Sequence, residues 1–159
     1  MPSSVSLLPA TGTLTSSGVF VDTQTVIVGG KTYTTQTTLT NVDGNVLIGA
    51  SAAATLQNLY DAINLTGTAG TQYAAAMTAN TRVAATAVTA TTLVVKALTP
   101  GEVGNLIAST ETQDNVAWGA ATLASGAGDV SAWVTSLFAQ SQVPSGLRSD
   151  LAKLTVTLD

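Results

Sequence analysis

Apolar and polar positions alternate with period two along much of this chain, the spacing of a half-buried β-strand. Thr11-Gly12-Thr13-Leu14-Thr15-Ser16-Ser17-Gly18 reads as a first strand with Leu14 facing inward. Val19-Phe20-Val21-Asp22 leads into a second, where Val26 and Val28 alternate with Thr25 and Ile27. That strand is expected to be buried on both faces. Gly29-Gly30 marks a tight hairpin. Lys31 to Leu39 alternates again, with Tyr33 on one face and threonines on both. After the turn Asn41–Asn45 and the short apolar run Val46-Leu47-Ile48-Gly49, the period changes. Leu56, Leu59, Tyr60 and Ile63 recur at i, i+3, i+4 and i+7, which predicts an amphipathic helix over Thr55–Asn64. Ser51 is its candidate N-cap, with Thr55 as the alternative, and Gly67 and Gly70 end it.

Residues 71–81 form an Ala-rich connection that admits a short helical turn at Tyr73–Met77. Two more strands follow, Arg82–Val88 and Thr91–Ala97, then a Pro-Gly loop over Leu98–Asn105. Leu106–Thr112 reads as a further strand and Ala117–Leu123 as one more short strand or edge. Ser125-Gly126-Ala127-Gly128 reads as a linker. Beyond it, Asp129 caps a second helix, Val130–Gln140, with Trp133, Leu137 and Phe138 on one face. Leu154, Val156 and Leu158 alternate with Thr in a closing strand that pairs within the domain or adds to a neighbour's open edge.

The expected fold is therefore α+β. A mainly antiparallel sheet or small β-sandwich carries one packed helix in a β-β-α-β-β core, and a C-terminal helix and strand extend it. Three parts follow: an N-terminal arm over 1–10, a β-rich module over 11–125 and a helix-strand extension over 129–159.

Composition changes what this fold is expected to do. Of 159 residues, 45% are hydrophobic but only 9% are charged, against roughly 25% in ordinary domains. A surface poor in Lys and Glu and rich in Thr, Ser, Asn and Gln suits packing against neighbours. The formal net charge is −4, and Lys31, Arg82, Lys96, Arg148 and Lys153 are scattered. Nucleic-acid binding rests on neutralising phosphates with clustered cations, so no nucleic-acid partner is expected. No apolar stretch approaches the ~18 residues that span a bilayer, and the first residues lack the basic and apolar regions of a signal peptide, so no membrane partner is expected.

The chain has no His and no Cys, which removes the commonest general base and the commonest soft metal ligands. Asp43-Gly44 matches part of a calcium loop, but further acidic ligands at the required spacing are missing. Glu111 and Asp114, with Trp118 nearby, are close enough to suggest a glycosidase carboxylate pair. Most of the carboxylates fall in turns or at helix starts, where capping and solvation explain them. No catalytic, cofactor-binding or metal-binding residue is assigned, and no cofactor is expected.

The pieces Thr11–Thr15, Thr25–Tyr33, Ala54–Asn64 and Leu93–Ala97, in this order, resemble the flagellin hook IN motif. They are also similar to a module found in tail and tail-fibre proteins of tailed bacteriophages. Gly101–Asn105 to Trp118-Gly119 is similar to the phage version. The resemblance covers residues 11–125 and implies a rigid spacer or contact module without catalytic residues. The expected function is a non-enzymatic structural component of a tailed-phage virion, made in the bacterial host cytoplasm. Tail fibre, collar, baseplate and head decoration are all open. Expected partners are other copies of the chain and neighbouring virion proteins. A module binding a host-surface glycan, or a flagellar hook-associated component, is the alternative. Apolar residues in the terminal segments are the candidate intersubunit contacts: Val5, Leu7 and Leu8 in the arm, and Trp133, Phe138, Leu154, Val156 and Leu158 in the extension.

Overall fold

The computed structural model describes residues 7–128. The expected helix 130–140 and closing strand 151–158 lie outside the described residues. Among the described residues there are eight strands: β1 (Thr11–Ser16), β2 (Thr25–Val28), β3 (Lys31–Gln36), β4 (Asn45–Leu47), β5 (Val83–Val88), β6 (Thr92–Ala97), β7 (Ser109–Glu111) and β8 (Val116–Trp118). One α-helix, α1 (Ala52–Asn64), lies between β4 and β5. The fold is α+β and β-rich, as the alternating pattern indicates.

The strands form two four-stranded sheets, in the orders β5-β6-β1-β8 and β4-β3-β2-β7. The first is antiparallel throughout. In the second, β3 and β4 run parallel, with Thr34 opposite Asn45 and Gln36 opposite Leu47. Parallel neighbours usually need a long crossover. Here β4 is only 3 residues long, so the loop 37–44 has to climb back only about 10 Å. The two sheets and α1 close on one core. Leu14, Leu93, Val95 and Val83 enter it from the first sheet, Val26, Val28, Tyr33 and Val46 from the second, and Leu56, Leu59 and Ile63 from the helix. Each fully buried leucine contributes about 1.5–3 kcal/mol relative to an exposed one.

The boundaries depart from the sequence pattern where long-range polar contacts decide them. β3 stops at Gln36, short of Leu39, because the Thr37 N–H leaves the ladder and donates to Asp22 Oδ1 at 2.8 Å. The helix starts at Ala52, earlier than its apolar stripe. Ser51 is the N-cap and its Oγ accepts from the Ala54 N–H at 3.1 Å. Thr55, the alternative cap, sits within the helix and donates to the Ser51 carbonyl. The helix ends at Leu65, which takes the left-handed conformation (φ 53°), before Gly67 and Gly70 are reached. Tyr73–Met77 holds a single turn, closed by the Met77 N–H on the Ala74 carbonyl at 3.0 Å, and no helix, with Tyr73 held in bridges to Val46 and Ala69. Residues expected in a strand at 106–112 divide into the end of a 3₁₀ helix (Glu102–Leu106) and β7. The strand expected at 117–123 is β8, at Val116–Trp118. Within β2, Val26 and Val28 are buried while Thr25 and Ile27 are half-buried, so its second face is only partly covered.

The arm and linker boundaries also move. Leu8 and Ala127 exchange both backbone bonds, at 2.9 and 3.1 Å, and Ala10 is fully buried. Residues 7–10 and 126–128 are therefore integral to the body.

Two glycine sites are set by backbone geometry. Gly29 and Gly30 both have positive φ (64° and 78°), as the hairpin turn between β2 and β3 requires. Gly44 has φ 90°, and a Cβ there would run into the Thr32 carbonyl oxygen. A Cβ on Gly30 meets nothing within 4 Å. Gly44→Ala is thus expected to cost more than about 2 kcal/mol, from strain and clash together, and Gly30→Ala only about 1 kcal/mol. Urea denaturation midpoints at unchanged slope would separate the two, and equal losses would show that the clash is relieved by loop movement.

Asn64 supplies the second fold prediction. Its Oδ1 accepts from the Ala85 N–H and its Nδ2 donates to the Ala85 carbonyl, both at 3.0 Å. Asn64→Ala leaves both groups of this partly buried edge without a protein partner and is expected to cost about 1–3 kcal/mol. Amide exchange at Ala85 should quicken in the variant, whereas unchanged protection would mean the side chain contributes nothing to the edge.

Candidate functional site

No catalytic residue is assigned from the sequence, so the search begins with surfaces. The largest exposed apolar side chains are Leu8, Val19, Val42, Leu65, Leu98, Val103 and Leu106. Val19, Val42 and Leu65 are scattered on separate loops, as single apolar surface residues commonly are. The other four belong to one end of the molecule.

That end is built by three backbone segments. Leu8 extends the line of β1 and pairs with Ala127, and its carbonyl also accepts from the Gly101 N–H at 2.9 Å. The Ala10 carbonyl accepts from the Ala97 N–H at 2.8 Å. The 3₁₀ helix then packs down through Gly104, where a Cβ would stand 2.8 Å from Ala10 Cβ and 2.9 Å from Ala97 Cβ. Asn105 fastens the third segment: its Nδ2 donates to the Gly126 carbonyl and its Oδ1 accepts from the Gly126 N–H. With the backbone tied inward, the side chains turn out. Leu8 is 54% exposed, Leu98 50%, Val103 56% and Leu106 76%. Within residues 98–106 Glu102 is the one charged group. Both segments outside the described residues join the body here, at Leu7 and at Gly128.

Of the residues singled out as intersubunit contacts, Leu7 and Leu8 lie at this pole, half-buried and exposed respectively. Val5, Trp133, Phe138, Leu154, Val156 and Leu158 lie outside the described residues. Sequence reasoning passed over Leu98, Val103 and Leu106. The available signal was two large apolar residues in a Pro-Gly loop, where polar residues are usual, with Leu106 directly after it.

The Asp43-Gly44 turn is a structural clamp. The Asp43 carboxylate is 2.8 Å from Lys31 Nζ and accepts from the Thr78 N–H and Thr78 hydroxyl, both at 2.8 Å. Lys31 also donates to the Thr78 carbonyl and lies 5.8 Å from the Tyr33 ring centre. These bonds tie the loop 37–44 to the segment around Thr78 and occupy the oxygens a cation would need. Among the described residues no three His, Cys, Asp or Glu side chains gather as a metal site. The bond from Lys31, then that from the Thr78 backbone, lowers the Asp43 carboxyl to about 2. Burial pushes the Tyr33 phenol up to about 12, against the hydrogen bond from Asn80. The Glu111–Asp114 pair does not form. Glu111 Oε2 accepts from the Trp118 N–H at 3.3 Å, while Asp114 accepts from Gln24 Nε2 at 3.1 Å and donates its own N–H to Gln24 Oε1.

Comparison with protein-family models, with curated proteins and with solved structures gives no match to this chain.

The depressed Asp43 carboxyl fixes the sign of a pH effect. Its stabilisation is complete above the ordinary carboxylate range and is lost as pH falls through about 2. Asp43 is nearly half exposed, so solvent screening keeps the whole effect within about 1 kcal/mol. Wild type should exceed Asp43→Asn in stability at pH 6, and the two should converge near pH 2. A difference that persists unchanged at pH 2 would show that charge has no part in the clamp.

Proposed function

We propose that this chain is a non-enzymatic structural component of a tailed-bacteriophage virion, acting through subunit–subunit contacts made at the apolar pole. Its place is the tail, as a fibre, collar or baseplate part, or the head surface as a decoration protein. The observation that carries the proposal is Leu8, Leu98, Val103 and Leu106 held outward at the end where both terminal segments join. A partner that covers half-exposed side chains of this size gains on the order of 1 kcal/mol from each. Those side chains stand on backbone fixed by several hydrogen bonds, so little ordering cost opposes the gain.

Three further observations support the reading. The surface is weakly charged and rich in hydroxyl and amide groups, which suits close packing with neighbours. The terminal segments that leave from the pole carry Val5, Trp133, Phe138, Leu154, Val156 and Leu158, apolar groups suited to further contacts. The order of the hairpin, helix and strand pair resembles the phage module on which the expectation was built. The partners in this reading are other copies of the chain and neighbouring virion proteins, and its location is the virion.

The test combines light scattering on the purified protein with immunogold labelling of whole particles. Wild type is expected to form a stable oligomer and to label the particle. The double variant Val103→Lys, Leu106→Lys places charge on the pole without disturbing the core. It should retain its melting temperature within about 4 °C and lose at least about tenfold in incorporation. A wild-type monomer that labels no particle would overturn the proposal, and normal incorporation of the double variant would move the contact away from this pole.

A further inference from the structure

Where the edge strands of the two sheets meet, β7 and β8 enclose a shallow groove of about 310 Å³ lined by Ser109, Thr110, Glu111, Trp118, Ala120 and Ala121. From this geometry we infer that the groove binds a guanidinium group, the side chain of an arginine presented by another protein.

The groove is rigid for a reason visible in its bonds. Trp118 has two N–H groups, and both are spent on the opposite wall. Its backbone N–H donates to Glu111 Oε2 and its indole Nε1–H donates to the Thr110 carbonyl at 3.2 Å. The six-membered ring lies over Gly12, where a Cβ would come within 3.5 Å of Cζ3. The ring is therefore placed before any ligand arrives, and its polar hydrogens are unavailable to one. What remains for a ligand is the carbon surface of the indole and the second carboxylate oxygen, Oε1, which makes no hydrogen bond among the described residues. Ala120 and Ala121 leave room beside them.

That pair selects a planar cation. A guanidinium stacks on an indole and donates in-plane N–H groups to a carboxylate at the same time, which an ammonium does less well. The local charge points the same way. Asp22 and Asp114 flank β2 and β7 on the sheet that carries Glu111, and the described cations, Lys31, Arg82 and Lys96, make no bond to Glu111. The groove thus presents an uncompensated negative charge beside an aromatic surface. It holds one carboxylate and no second acid or base, so it is a place to bind rather than to react.

The test is a titration of the full chain with N-acetyl-arginine amide, followed by the indole N–H resonance of Trp118. The variant Trp118→Phe assigns that resonance against Trp133. A saturable shift is expected, with a Kd on the order of 1–10 mM, weaker for N-acetyl-lysine amide and weakened by added salt. Glu111→Gln keeps an oxygen for the Trp118 N–H but removes the charge and replaces the second oxygen with an NH2 donor, so it should weaken the arginine probe about tenfold at unchanged melting temperature. No saturable shift with the arginine probe, or the same affinity in Glu111→Gln, would overturn the inference. So would a stronger response to glucose, which would make the groove a sugar site. None of these outcomes depends on whether the chain is part of a virion.

Discussion

A backbone peptide group that leaves a sheet must find another partner, and in this chain the partner is repeatedly a side-chain amide. An amide carries one acceptor and a pair of donors, so it reproduces what a neighbouring strand would offer. Asn64 serves both the N–H and the carbonyl of Ala85, and Asn105 does the same for Gly126. Gln113 accepts from the Val21 N–H at 2.9 Å and donates to its carbonyl at 3.4 Å. Asn80 takes the N–H groups of Arg82 and Val83 and donates to the Val28 carbonyl. Each such group, buried and unpaired, would cost about 1–3 kcal/mol. Among the described residues no buried side-chain nitrogen or oxygen lacks a partner. The irregular connections of the molecule exist because these amides are placed to meet them.

The same device governs the sheet edges. An open edge is a template for unwanted pairing. Here β5 is closed at Ala85 by Asn64, and β4 is covered by the segment that follows α1, through Leu47 N–H to the Gln72 carbonyl and Ala74 N–H to the Asn45 carbonyl. β7 and β8 face each other across the Glu111–Trp118 contact. Strand addition from a neighbour is therefore a poor route to assembly for the described body. Contact through side chains at the pole is the route that the geometry leaves open, and it needs no backbone rearrangement.

How much of this was legible in the sequence follows from how far apart the deciding partners lie. β1, the β2–β3 hairpin, α1, β5 and β6 are set by local alternation, a two-glycine turn and a helical stripe, and each could be read within a short window. The parallel strand β4 and the short strands β7 and β8 are fixed by contacts that cross the chain, such as Gln113 with Val21, 92 residues apart. The sequence marks their neighbourhoods, as a short apolar run at 46–49 and expected strands at 106–112 and 117–123, but not their bounds or partners. The helix shows the limit within a single element. Leu56, Leu59 and Ile63 were legible as core, yet Asn58 and Asp61 are also buried. Asn58 donates to the Leu47 carbonyl, and Asp61 receives Gln57, Thr66 and Gln72. At the pole, Leu7 and Leu8 were legible as apolar residues in an arm, whereas Val103 and Leu106 gain meaning only once they are seen exposed on the 3₁₀ helix, and Leu98 only once it is seen exposed just after β6.

A body held by neutral amides, hydroxyls and an apolar core has few electrostatic dependencies. Among the described residues Lys31–Asp43 is the one ion pair, and it joins the first residue of β3 to the loop before β4. Salt and moderate pH changes therefore act on little of the fold itself. They act on the charged groups that no ion pair holds among the described residues, Glu111 beside Trp118 included, and, through salt effects on apolar burial, on the side chains of the pole. The low charge of the sequence is in this view a consequence of how the backbone is satisfied. Neutral side chains take the structural roles that ion pairs would otherwise fill.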